Sequence, residues 1–97
     1  DVYALGALLY ESLAGQPPYP GGARQALAAL RAGPPAPLAR LAPGAPAELV
    51  AIAERALARL PQQRYASMEA LRDDLRAYLE GRVVRAYESG GLAELKK

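Results

Sequence analysis

The chain contains no cysteine, histidine, asparagine, threonine, phenylalanine or tryptophan. Lack of cysteine excludes a disulfide framework and a thiolate metal site. Lack of histidine removes the commonest general base and metal ligand, and lack of asparagine removes any site for N-linked glycosylation. The net charge of +2 is mild, and Lys and Arg are scattered over several segments instead of forming a run, so a nucleic-acid partner is not expected. No apolar run approaches the roughly 20 residues needed to span a bilayer, and no secretory-signal pattern is seen.

What remains is a helix-forming composition. Hydrophobic residues make up 52% and charged residues 23% of the 97 positions, which is enough to bury a core and excludes compositional disorder. Alanine and leucine dominate while β-branched and large aromatic residues are scarce, which favours helix throughout. This length suits one small domain or a piece of a larger one, with little room for a catalytic cleft between two lobes. The chain begins without Met inside an apolar pattern, so we expect a piece of a longer protein. Lys96-Lys97 point to a basic continuation.

The first stretch, Asp1 to Gly15, organises the rest. Val2, Leu5, Leu8, Leu9 and Leu13 fall on more than one stripe at about 3.6 residues per turn, which predicts a helix buried on most sides with the other segments packed around it. Asp1 is suited to cap its first N–H groups and Gly15 to end it in a left-handed turn. Three prolines between Gly15 and Gly22 stop the helix firmly and make a rigid connector around Tyr19. Ala23 to Ala32 reads as a short surface helix with a thin apolar stripe, terminated by Gly33. Gly33 to Pro46 carries five prolines and two glycines and reads as an extended loop anchored by Leu38 and Leu41.

Ala47 to Arg59 is an amphipathic helix by the spacing of Leu49, Ile52, Ala53, Ala56, Leu57 and Leu60, with Pro46 and Glu48 suited to its start. Ser67 can cap a last long helix with Met68, Leu71, Leu75, Tyr78 and Leu79 on one stripe and Arg72, Asp73, Asp74 and Arg76 facing water. Gly81 closes it. The polar tail 82–97, with Ser89-Gly90-Gly91, is expected to leave the domain of residues 1–81 before a new helix near Leu92. The fold class is therefore all-α, about four helices around a buried N-terminal one. No fixed-period repeat is present: a 34-residue shift from Tyr3-Ala4-Leu5-Gly6 lands in the Pro-rich loop.

Asp-x-Tyr-x-Leu-Gly-x-x-Leu-Tyr-Glu over Asp1 to Glu11, followed by Gly15-Gln16-Pro17-Pro18-Tyr19, resembles the central helix and following loop of the lower lobe of bacterial serine/threonine protein kinases. The stretch Leu49 to Gly81 is similar to the same family, through Ala56-Leu57, Pro61-x-x-Arg64-Tyr65-x-Ser67 and Asp74-Leu75-Arg76-x-Tyr78-Leu79. The resemblance covers about residues 1 to 85 in the family's order, and an ordered set of motifs is more specific than any one of them. It implies the helical C-lobe of a two-lobed α+β kinase fold, whose parent transfers the ATP γ-phosphoryl to protein Ser/Thr hydroxyls with Mg²⁺.

The resemblance also implies roles for single residues. Asp1 would accept backbone hydrogen bonds from the catalytic loop, and Leu8 would stand in the apolar column under the adenine ring. Arg64 would pair with the Glu of an Ala-Pro-Glu motif upstream, and Glu11 would face a basic substrate. Ser12 departs from the bulky residue expected beside Leu8, and Leu60 stands where Asp is usual. On the residues alone, Asp1 is a helix cap, Glu11 an exposed helix-end acid and Arg64 a solvated loop arginine.

No catalytic, cofactor-binding or metal-binding residue is expected within these 97 residues. Asp73 and Asp74 point about 100° apart on a helix and do not make a paired-acid site, and Glu54 and Glu69 sit on separate helices. There is no Gly-rich phosphate loop, His-Arg-Asp, Asp-Phe-Gly or strand lysine. ATP and Mg²⁺ are therefore expected in the parent and not on this segment. Expected partners are the N-terminal part of the kinase domain and protein substrates. A cytoplasmic location is expected, with a membrane anchor beyond Lys97 left open. The alternatives are a free-standing helical interaction module and the lobe of a catalytically dead kinase, both decided by the reading frame upstream of Asp1.

Overall fold

Asp1 has a side chain short enough to bend back to the backbone, and its Oδ1 accepts from the Ala4 N–H at 2.8 Å, starting α1 (Val2–Ala14). The structure is a computed structural model, and it describes residues 1–88. Gly15 ends α1 at φ 80°, its N–H bonded to the Glu11 carbonyl at 2.9 Å. Contrary to the expectation of a helix buried on most sides, only Gly6 and Tyr10 of α1 are buried. One face meets the later helices and the other is open, with Leu8 63% exposed. A helix apolar all round needs cover on more than one side, and the described elements supply one.

In the connector after Gly15, Pro18 is buried and the Tyr19 hydroxyl donates to the Gly33 carbonyl at 3.0 Å. The second helix, α2 (Ala23–Ala32), has no buried residue, in keeping with its thin stripe. Gly33 ends it in extended backbone at φ 166°, not through a left-handed turn. Inside the stretch expected to be wholly extended, α3 (Leu38–Leu41) makes a single helical turn after Pro37. Leu38 is fully buried as the expected anchor and Leu41 is half-buried.

The centre of the core is α4 (Ala47–Ala56), not α1. Ile52 and Ala56 pack with Tyr65, Leu71, Ala77, Val84 and Ala86 on one side. Ala53 and Leu57 pack with Tyr10 and Leu38 on the other. The helix stops before the expected Arg59, because Pro61 holds Leu60 in extended backbone (φ −89°, ψ 126°) and the chain must leave early to reach it. Helices α1 and α4 cross closely at Gly6: a Cβ built there would stand 2.6 Å from the Ala56 Cβ. A 3₁₀ turn over Pro61–Gln63 leads on to α5 (Met68–Leu79), capped by Ser67 Oγ accepting from Ala70 N–H at 3.1 Å.

On α5 two side-chain assignments are corrected. Asp74, placed in water by its charge, is 3% exposed, while Leu79, placed on the stripe, is 80% exposed, and Met68 is also exposed. The terminator is as expected: Gly81 at φ 72° donates to the Tyr78 carbonyl at 3.2 Å and Arg82 N–H to that of Ala77 at 2.8 Å. Residues 82–88, however, do not leave. They fold back, bury Val84 and Ala86 against α4 and α5, and make a last helical turn over 85–88. Ser89-Gly90-Gly91 and the helix expected near Leu92 lie outside the described residues. Every described regular element is helical, so the unit is all-α among the described residues. None of its helices is long and apolar enough to cross a membrane.

Candidate functional site

The four residues singled out from the sequence lie on α1 and on the turn after α4. Asp1 is exposed and caps α1 through Oδ1. Leu8 lines an open groove of about 230 Å³ with Leu5, Leu9, Ser12, Leu71 and Leu75, whose walls are α1 and α5. Ser12 turns its hydroxyl back onto the Leu8 carbonyl at 2.9 Å, so the small residue in the expected bulky position is bonded to its own helix. Glu11 is exposed in the last turn, and among the described residues its side chain has no hydrogen bond. Leu8 and Ser12 are thus brought together, whereas Arg64 belongs to a separate contact.

Arg64 is half-buried and not the freely solvated loop arginine that its residue type suggests. Its Nε donates to the Ala58 carbonyl at 2.5 Å and its Nη2 to that of Arg59 at 3.2 Å, the two carbonyls exposed where the chain leaves α4. Its guanidinium lies 5.3 Å from the centre of the Tyr3 ring, which ties the start of α1 to the end of α4.

A second cluster was not anticipated. The buried Asp74 accepts from the Tyr65 hydroxyl at 2.6 Å, from Arg85 N–H at 2.9 Å and from Ala86 N–H at 3.1 Å. Burial, then the hydrogen bond and the negative charge of Asp74, raise the Tyr65 phenol far above its usual value, against a weaker opposing pull from Arg55. The signal was present in the sequence: Asp74 is three positions after Leu71 and four before Tyr78, on the same helical face. Around this cluster Arg55, Arg76, Arg82 and Arg85 line a cleft with Asp73.

The described residues carry acids on α1, α4 and α5. No three Asp or Glu side chains among them stand close enough to share a metal ion. Of the adjacent acids on α5, Asp73 is exposed and Asp74 already has both oxygens engaged.

Compared with known proteins, the chain matches a serine/threonine-protein kinase, Pkn1 of Myxococcus xanthus, at 38% identity over 101 aligned positions. The chain is thus similar end to end to a segment of a kinase. The match covers 100% of this chain and 15% of that kinase, so the chain spans a minor part of its relative's length. No protein-family profile matches the chain. The kinase-related segment holds Asp1, Leu8, Glu11 and Arg64 on one all-helical unit, which also carries the buried Tyr65–Asp74 pair.

Proposed function

We propose that this chain is the carboxyl-terminal part of the helical lower lobe of a serine/threonine protein kinase, whose whole would transfer the ATP γ-phosphoryl to protein Ser/Thr hydroxyls. The observation that carries the reading is the end-to-end match to a kinase segment. The open apolar groove at Leu5, Leu8, Leu9, Leu71 and Leu75 supports it, because contiguous exposed apolar surface asks for a covering partner.

In this reading the segment supplies support, and ATP and Mg²⁺ would be held by residues outside it. Asp1, besides capping α1, would receive backbone N–H groups of a catalytic loop. Leu8 would be covered by the rest of the lobe. Arg64 would exchange part of its carbonyl contacts for an upstream Glu, and Glu11 would face basic substrates. On this reading the protein would act in the cytoplasm.

The test is to express the whole open reading frame that contains these residues and assay transfer of labelled γ-phosphate from ATP with Mg²⁺ to a generic protein acceptor. We expect transfer by the whole protein and none by the 97-residue chain. No transfer by the whole protein, or a reading frame without a Gly-rich loop, strand lysine and His-Arg-Asp upstream, would reject the proposal.

A further inference from the structure

The cleft between α4, α5 and the returning segment 82–88 encloses about 320 Å³ and draws four arginines to one place: Arg55, Arg76, Arg82 and Arg85. Three different parts of the chain bring them there. Arg55 lies 4.8 Å from the centre of the Tyr65 ring, and Arg76 is in the last turn of α5. Arg82 N–H is bonded to the Ala77 carbonyl and Arg85 N–H to Asp74 Oδ1.

Two of the charged side chains at this cleft already have partners. Arg82 meets Glu80 at 2.7 Å, and the Asp74 oxygens are taken by the Tyr65 hydroxyl and two backbone N–H groups. Asp73 is exposed and, like Asp74, lines the cleft, so four guanidinium groups face two carboxylates there. Among the described residues Arg55, Arg76 and Arg85 have no ion-pair partner. Like charges brought into one concavity raise the local positive potential, and a bound anion relieves it. Three guanidinium forks match the three terminal oxygens of a phosphate monoester, where a carboxylate offers only two.

We propose that this cleft binds a phosphate monoester dianion through Arg55, Arg76 and Arg85, with Arg82 exchanging from Glu80 as a fourth donor. The dianion is either free phosphate or a phosphorylated side chain of a peptide. No part of this depends on the phosphotransferase reading, since neither ATP nor a catalytic loop enters it.

The test is an NMR titration of the isotope-labelled full chain at about pH 7.5, where a phosphate monoester is mostly dianionic because its second pKa is about 6. The probes are inorganic phosphate, O-phosphoserine within a short peptide, and acetate as a monoanion. We expect saturable shifts of the Arg55, Arg76 and Arg85 side-chain signals with a phosphate probe, and acetate binding at least about tenfold more weakly. R76Q combined with R85Q should weaken phosphate binding at least about tenfold, while R24Q on α2 should leave it unchanged. Arg76 and Arg85 make no side-chain hydrogen bond among the described residues, so the dispersed spectrum of the folded chain should survive their substitution. Tighter binding of the phosphopeptide than of inorganic phosphate would identify a phosphorylated side chain as the occupant, and equal or weaker binding would identify free phosphate. Absence of saturable shifts up to about 10 mM of either phosphate probe, acetate as strong as phosphate, or wild-type affinity in the double variant would overturn the proposal.

Discussion

The Tyr65 hydroxyl donates to Asp74 Oδ2 at 2.6 Å, and the same carboxylate receives the N–H groups of Arg85 and Ala86. One buried acid thereby joins the turn after α4, the middle of α5 and the returning segment 82–88. Tyr65→Phe removes one donor from a buried carboxylate and should cost about 1.5–3 kcal/mol in urea unfolding. Asp74→Ala strands a hydroxyl and two amides, each left unpaired at about 1–3 kcal/mol, and should cost more than Tyr65→Phe. The double variant should lose less than the sum, and Asp74→Ala should also speed hydrogen exchange at Arg85 and Ala86. Strict additivity, with unchanged exchange at those amides, would show the three contacts to be uncoupled.

The same pair sets an alkaline limit. Tyr65 is raised above its ordinary value, chiefly by burial and then by Asp74, and Tyr10 and Tyr19 are raised chiefly by burial. A group whose folded pKa exceeds its unfolded value stabilises the fold fully below the unfolded value, about 10 for tyrosine, and this is lost as pH rises above it towards the folded value. Stability should therefore hold through neutral pH and fall above about pH 10. Urea midpoints followed with tyrosinate absorbance should show the last phenol ionising with unfolding. Tyr65→Phe should flatten the fall, and an equally steep fall in that variant would remove Tyr65 as its main cause.

Gly6 marks the closest approach of α1 to α4. Substitution by alanine gains helix propensity, about 1 kcal/mol, but puts a methyl 2.6 Å from the Ala56 Cβ, and overpacking of this kind costs about 1–3 kcal/mol. Gly6→Ala should be neutral to destabilising in spite of its better propensity. Ala56→Gly in the Gly6→Ala background should recover packing at the crossing, so the coupling of the two should be favourable. Thermal unfolding of the four proteins in this cycle measures it.

The starts of α1 and α5 and the stops at Gly15 and Gly81 were legible because their signals are local, whereas α4 ends at Ala56 and not at the expected Arg59. Asp1, Ser67, Gly15 and Gly81 act through backbone groups within a few residues of themselves, and each does what its residue type foretells. What depends on a partner element was not legible in the same way. Residue type sent Asp74 to solvent although its spacing from Leu71 and Tyr78 set it on the packed face, and the donors that make burial tolerable come from residues 65, 85 and 86. The return of Val84 and Ala86 was hidden by the polar residues around them. The arginine cleft joins residues from α4, α5 and the returning segment, so no single stretch contains it. Proline content hid the turn of α3, where proline stands before the turn and not inside it.

Arg64 allows the chain and its proposed parent to be separated by stability. Here it holds the carbonyls of Ala58 and Arg59 and stacks on Tyr3, so Arg64→Ala should cost this chain about 1–3 kcal/mol. If an upstream Glu pairs with it in a buried site of the whole protein, the same substitution there should cost about 3–5 kcal/mol. Arg64→Lys should rescue poorly in both, since a point charge does not reproduce the fork across two carbonyls. Equal losses in the two contexts would argue that no further partner reaches Arg64.

Leu8 puts the same question to the open face of α1. At 63% exposure its side chain adds little to the fold of this chain, so Leu8→Glu should change stability here by no more than about 0.5 kcal/mol. A leucine covered by further protein behaves differently: replacing it with a charge would bury an unpaired carboxylate, at a cost of several kcal/mol. In the proposed kinase parent Leu8→Glu should therefore lower the melting temperature sharply and reduce the phosphoryl transfer proposed for it, while Glu11→Gln on the same helix should leave folding intact. Indifference to Leu8→Glu in both contexts would mean that the groove between α1 and α5 stays open to water, and the support role assigned to α1 would then have no surface on which to act.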